Sequence, residues 1–295
     1  MFSLCNIIII SIATIIIAPL LGGFIAGLDR VITAKFQSRR GPSVFQPYWD
    51  VIKLFGKERF SVNSFQMLYV LVSLAFAICA LLMLVFMRDM LMLVFILAFS
   101  SVSLIVGAMC VRSPYSKIGA MREIIQILAY EPVIILMVVG MYMVTGSFCI
   151  DNIINYQLQS GYPIFYNLPL VFISFVFILT IKLRKSPFDF SMSHHAHQEL
   201  MKGLTTEFSG IQLALIEITH WTETVLYLGL IMLFFGNNIW LGLGVAVLCY
   251  FAEIIIDNIS ARTTWQWMLK VSYCLGFGLA LANIIWLCLS RGGVM

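Results

Sequence analysis

Residues 1–28, 60–87, 90–111, 132–150, 224–252 and 271–290 carry no Asp, Glu, Lys or Arg. About 20 apolar residues in helical form cross roughly 30 Å of hydrocarbon, so each stretch is about long enough to span a bilayer. Charged residues make up 11% of the 295 positions. A soluble domain carries about 25%, and a water-exposed surface cannot be built from so few. The expected fold class is therefore all-α, a polytopic membrane protein of about eight transmembrane helices. They are expected over 3–27, 65–87, 90–111, 122–145, 164–183, 207–235, 239–258 and 271–290. The first run has no Lys or Arg ahead of it and is longer than a signal-peptide core, so it reads as the first span. No internal repeat or low-complexity tract divides the chain, which reads as a single membrane domain over 1–295.

The placement of basic residues tests this topology. With the N-terminus outside, the segments 28–64, 112–121, 184–206 and 259–270 face the cytoplasm. Together with the adjoining helix ends they hold every Lys and Arg except Arg88 and Arg291. A Lys/Arg excess marks cytoplasmic loops, so both termini are expected outside the cell membrane. In the first inner loop, Arg39-Arg40-Gly41-Pro42 forms a basic turn. Beyond it Tyr48, Val51, Ile52 and Phe55 follow helical spacing with charges between them. A short amphipathic helix on the membrane lipid interface fits, with Tyr48 and Trp49 at headgroup level. The alternative is a plain basic loop.

The acids are more informative than the bases. Glu123 and Glu131 fall on the expected fourth helix, Glu207, Glu217 and Glu223 on the sixth, and Glu253 and Asp257 on the seventh. An ionised carboxylate inside a bilayer costs a few kcal/mol. It survives by facing water, by pairing or by protonation, and each route raises the prospect of proton handling. Glu253 and Asp257 are four apart and share a helix face. Glu123 and Glu131 are separated by roughly 12 Å along the axis and about 80° around it. No single helix makes a wire, so a relay requires the fourth, sixth and seventh helices packed together with water between them. The bland readings remain open. Glu123 and Glu207 could sit near positive helix N-termini. Glu131, Glu217, Glu223 and Glu253 could hold static hydrogen bonds or ion pairs.

The densest polar segment is 182–209. By residue type His194, His195, His197 and Glu199 could hold a metal. No Cys accompanies them and the spacing is not a zinc pattern, so no metal site is assigned. A hydrogen-bonded loop at an interface fits better. The seven cysteines form no C-x-x-C pair and lie in or beside apolar runs, as small buried hydrophobes do. No nucleotide-binding loop or nucleophile triad is present. Nothing points to nucleic acid or to a self-contained active site.

Arg39-Arg40-Gly41-Pro42-Ser43 followed by Asp50-Val-Ile-Lys53-Leu54-Phe55-Gly-Lys57-Glu58 resembles the signature of the membrane subunit that lines the quinone chamber of respiratory complex I. Asp29-Arg30, Ala129-Tyr130-Glu131, Pro187-Phe188-Asp189, and Gln198-Glu199-Leu200 leading to Thr206-Glu207-Phe208-Ser209-Gly210 look like further elements of that family, in the same order over about residues 20–260. His194-His195-Ala196-His197 replaces the acid-rich loop typical of complex I. This variant is similar to the EchB-type membrane subunit of Ech energy-converting nickel–iron hydrogenases.

The resemblance implies a membrane anchor and coupling subunit with no cofactor of its own. The nickel–iron centre and iron–sulfur clusters would belong to a hydrogenase large subunit and an iron–sulfur small subunit, docked on the inner loops 28–64 and 182–206. An antiporter-like membrane subunit would complete ion transfer, and the whole complex would link ferredoxin to hydrogen. It further implies proton relay through Glu131, Glu199 and Glu207, extended here to Glu217, Glu223 and Glu253. Asp29, Arg30, Arg39, Arg40, Asp189, His194, His195 and His197 would lie at the docking face and chamber mouth. Two rivals stand beside this reading. A true quinone-reducing subunit is disfavoured by the histidine loop, and an independent transporter by the absence of repeated halves.

Overall fold

The computed structural model describes residues 4–58, 63, 65–185, 187–189, 191, 200 and 202–292. Every regular element among them is helical. In chain order they are α1 (Leu4–Phe36), α2 (Gln46–Phe55), α3 (Phe65–Val85), α4 (Met90–Met109), α5 (Pro114–Thr145), α6 (Ile150–Ser160), α7 (Pro169–Lys182), α8 (Ile211–Leu233), α9 (Ile239–Ile259), α10 (Trp265–Val271) and α11 (Gly278–Gly292). A π-helical segment, Ser272–Phe277, joins α10 to α11.

Each expected span coincides with a helix, but not all are equal. Six helices among the described residues are long and apolar enough to cross a membrane: α1, α3, α4, α5, α9 and the run from Trp265 to Ser290. The other two expected spans are α7 and α8. At 14 residues α7 covers about 21 Å, short of the hydrocarbon thickness, and most of its length is buried by neighbours. α8 is long enough, with 23 residues, but carries Gln212, Glu217, His220 and Glu223. Both are interior elements, shielded from lipid by the apolar six.

Several boundaries differ from the sequence reading. α1 does not stop near residue 27 but continues to Phe36, so Asp29 and Arg30 stand on a helix rather than in a loop. Charge ends a membrane span without ending a helix, because the backbone bonds continue in water. α8 starts at Ile211, which leaves Glu207 in the preceding connection. α6 occupies a segment read as a plain connection. Its Ile150, Ile153 and Gln157 face inward, and Gln157 Nε2 donates to the Leu233 carbonyl at 2.8 Å. The amphipathic helix after the first span is present as α2. Only Trp49 of its aromatic pair is exposed. The Tyr48 hydroxyl instead donates to the Leu20 carbonyl, and its ring meets Trp221 edge-on at 5.5 Å.

Close packing at the site end rests on glycine. A Cβ on Gly22 would collide with the Trp221 backbone, so the main chains of α1 and α8 touch there. A Cβ on Gly119 would collide with Gly203 and Leu204, which pins the 202–208 connection onto α5.

Pro132 lies inside α5 next to Glu131. It has no N–H, so the Leu128 carbonyl loses its helical donor. The Tyr273 hydroxyl, on the π-helical segment, donates to that carbonyl at 3.1 Å. Tyr273→Phe keeps the ring but leaves the carbonyl unpaired. A loss of about 1 kcal/mol is expected, read as a lowered thermal midpoint of the detergent-solubilised protein.

Candidate functional site

The last turn of α7 is tied off tightly. Arg184 N–H donates to the Ile181 carbonyl at 3.1 Å and Lys185 N–H to the Thr180 carbonyl at 2.8 Å. Arg184 takes a left-handed φ of 57°, a strain of roughly 1–2 kcal/mol for a residue with a Cβ. That reversal throws three cations, Lys182, Arg184 and Lys185, in different directions.

Lys182 turns into the bundle. Its Nζ donates to Ser101 Oγ at 3.0 Å and lies 4.4 Å from the Tyr130 ring centre and 5.6 Å from that of Tyr227. Arg184 reaches α8 and α5. Its Nη1 is 2.5 Å from His220 Nε2 and its Nη2 is 3.9 Å from Glu123 Oε1. His220 Nδ1 is 3.8 Å from Glu223 Oε2, and Ser100 Oγ lies 3.3 Å from Glu223 Oε1. Glu123 also accepts from Ser191 Oγ. With its amide oriented to suit its neighbours, Gln126 donates to Glu123 Oε2 at 3.1 Å and accepts from Ser191 N–H at 3.2 Å. These groups line one polar cavity of about 410 Å³ of unfilled space, part of it open to solvent. Its walls come from α3, α4, α5, α7 and α8. A cavity this polar is hydrated.

Lys185 points the other way and forms an ion pair with Asp29 of α1. Asp257 of α9 lies 4.0 Å from its Nζ, and the Tyr250 ring centre lies at 5.9 Å. Glu253, one turn before Asp257, is 1% exposed and within electrostatic reach of Lys185 and Asp257. Asn258 ties the same corner together, donating to Thr33 Oγ1 at 3.4 Å.

A third pair closes the end of the bundle. Arg122 Nη1 donates to Asp189 Oδ2 at 2.9 Å, with Arg122 also 5.8 Å from the Trp265 ring centre. Phe188 and Thr263 form an isolated parallel bridge, so the start of the 187–209 segment is fastened to the connection before α10. Outside the spans, Arg30 Nη1 donates to Asp50 Oδ2 at 2.7 Å and Gln46 to Asp50 Oδ1 at 2.9 Å. Partial burial pushes the Asp50 carboxyl up. Those two hydrogen bonds and the charges of Arg30 and Lys53 outweigh it and hold Asp50 below the ordinary carboxylate range. Arg39 and Arg40 are exposed nearby, with Arg39 Nε donating to Gln37 at 2.8 Å.

The expected site is thus partly assembled. Glu223 and the polar cavity come together, with Glu131 within electrostatic reach of Lys182. Glu253 joins Asp29 around Lys185, and Asp189 pairs with Arg122. Glu207 and Glu217 are half-buried outside the cavity lining. His194, His195, His197 and Glu199 lie outside the described residues. Glu123 is no helix-terminal acid, since α5 begins at Pro114 and Glu123 sits on its buried face. The acids of α5, α8 and α9 do not meet directly, because cations from the end of α7 stand between them. Those cations, with His220 and Ser100, were not singled out as site residues. His220 lies three residues before Glu223 on one helix face, a signal legible in the sequence.

The fold and site define the class: a polytopic membrane subunit whose polar cavity and ion pairs gather at one end of a helical bundle. The chain matches the NADH dehydrogenase family over residues 7–288 and belongs to it. It is 28% identical to Hydrogenase-4 component C of Escherichia coli, covering 97% of this chain and 98% of that one. It is 30% identical to a membrane component of the NADH-quinone oxidoreductase of Carboxydothermus hydrogenoformans, covering 89% and 86%. Among solved structures, a chain of the membrane-bound sulfane sulfur reductase, an archaeal respiratory membrane complex, shares the fold with a TM-score of 0.82 at 23% identity, covering 96% and 99%.

Proposed function

We propose that this chain is the membrane anchor and coupling subunit of an Ech-type energy-converting nickel–iron hydrogenase. Its basic end faces the cytoplasm and docks the nickel–iron large subunit and the iron–sulfur small subunit. An antiporter-like membrane subunit receives the coupled ion, and the whole complex forms hydrogen from reduced ferredoxin. The observation that carries the reading is the end-to-end similarity to Hydrogenase-4 component C, together with the histidine-bearing loop, 194–197. Redox events in the arm change the charge near 187–209. The cavity acids Glu123 and Glu223, and Glu131 beside them, take up or release protons in response. Glu199 and Glu207 at the docking segment, and Glu217 and Glu253 deeper in the bundle, are the further relay positions of this reading.

Affinity purification of the tagged chain tests it directly. A nickel-containing partner is the expected result, and a chain that purifies alone with substrate-dependent flux overturns it. Glu131→Gln is expected to lower ion transport per hydrogen formed in sealed vesicles by roughly tenfold or more. Full coupling in that variant removes Glu131 from the scheme. The similarity to the NADH-quinone oxidoreductase component favours one second reading, a quinone-chamber subunit. A quinone co-purifying in place of nickel decides for it.

A further inference from the structure

We propose that His220 carries protons from the polar cavity to Glu223, and that Arg184 is the positioning residue that gates it. The inference rests on the coupling-subunit reading and adds two residues that reading does not use.

The geometry around the ring is specific. A guanidinium has donors and no acceptor. With Arg184 Nη1 at 2.5 Å from His220 Nε2, that nitrogen presents its lone pair. The ring proton is then on Nδ1, the nitrogen 3.8 Å from Glu223 Oε2. His220 is aimed at its acceptor while its entry side is capped. The same guanidinium has a second partner, Glu123, 3.9 Å from Nη2. Moving Arg184 toward Glu123 uncovers Nε2 to the cavity.

The transfer then balances. A cavity water chain delivers one proton to Nε2, giving an imidazolium. Nδ1–H passes its proton to the Glu223 carboxylate, and the ring is neutral again with its proton on Nε2. One proton has moved from water to Glu223. Arg184 cannot return while Nε2 holds a proton, so the carrier resets only when water exchanges the tautomer. The other titratable and charged groups on this cavity are Glu123 and Tyr130 from α5 and Lys182 from α7. Lys182 turns toward Ser101 and the Tyr130 ring, which leaves Arg184 as the cap. Glu123 sets the gate. It is bonded to Ser191, in the segment that leads to the 192–199 loop, so a shift of that segment changes how strongly Glu123 draws on Arg184.

Diethyl pyrocarbonate acylates an unprotonated, accessible imidazole nitrogen, and mass spectrometry assigns it to His220 separately from His194, His195 and His197. In the intact purified complex, His220 is expected to react slowly. Arg184→Gln is expected to accelerate that reaction roughly tenfold, the effect of losing one charge-assisted hydrogen bond. Arg184→Lys is expected to restore protection, since an ammonium also donates to Nε2. Glu123→Gln removes the competing pull and is expected to slow the reaction below wild type, which serves if Arg184→Gln does not assemble. An unchanged rate in Arg184→Gln, no protection in Arg184→Lys, or no slowing in Glu123→Gln overturns the gate. The labelling does not depend on hydrogen formation. Protection that follows this pattern in a complex lacking nickel therefore removes the hydrogenase reading and not the gate.

Discussion

Lys185→Met is expected to destabilise the protein by about 3–5 kcal/mol, the cost of breaking a buried ion pair by removing one partner. The Lys185 side chain is 9% exposed and that of Asp29 18%. Without the ammonium, Asp29, Asp257 and Glu253 face one another in a corner of α1, α7 and α9 from which the shared cation has gone. Three carboxyls cannot all stay ionised at such spacing, so protons are taken up or the corner opens. The double variant Lys185→Met with Asp29→Asn is expected to recover part of the loss, because it removes a charge together with its partner. The measurement is the thermal midpoint of the solubilised complex for both single variants and the double. Additive losses would show that Lys185 and Asp29 do not act as a pair.

That corner also shows how far the sequence can be read. The apolar runs located α3, α4 and α9 to within a few residues, because a span must bury its backbone and about 20 apolar residues do so. The same argument misplaced the end of α1. Asp29 and Arg30 mark where hydrocarbon stops, and the helix continues beyond them to Phe36. α7 and α8 depart most from the simple span, since their surroundings are other helices rather than lipid. The acids were legible as costly, and Glu223 and Glu253 do lie among charged partners. The partners were not legible. Lys185 and Asp29 are 156 residues apart, and the left-handed turn at Arg184 decides which cation meets which acid. The periodicity of α7 says nothing of that turn. His220 was the exception, since its spacing from Glu223 alone places them on one face.

The second large effect concerns Lys182. Lys182→Met is expected to abolish most coupled ion transport, by roughly a hundredfold, the scale of losing a positioned proton-transfer group. Of the three cations at the end of α7, Lys182 is the one not turned toward Glu123 or Asp29. Its charge lies over the Tyr130 ring and within electrostatic reach of both Glu131 and Glu223. Removing it leaves two acids in the bundle interior with weaker reason to ionise, and an acid that stays protonated passes nothing on. Met fills nearly the same volume, so packing against Tyr130 and Tyr227 survives and the loss is one of charge. Adding Glu223→Gln relieves the charge imbalance and is expected to restore thermal stability while leaving transport low. Vesicles carrying the assembled complex give the readout, as dye-reported gradient formed per hydrogen produced. Transport at wild-type yield in Lys182→Met would place the proton path outside this cavity, and would leave the Lys185 corner with Glu253 as the next place to look.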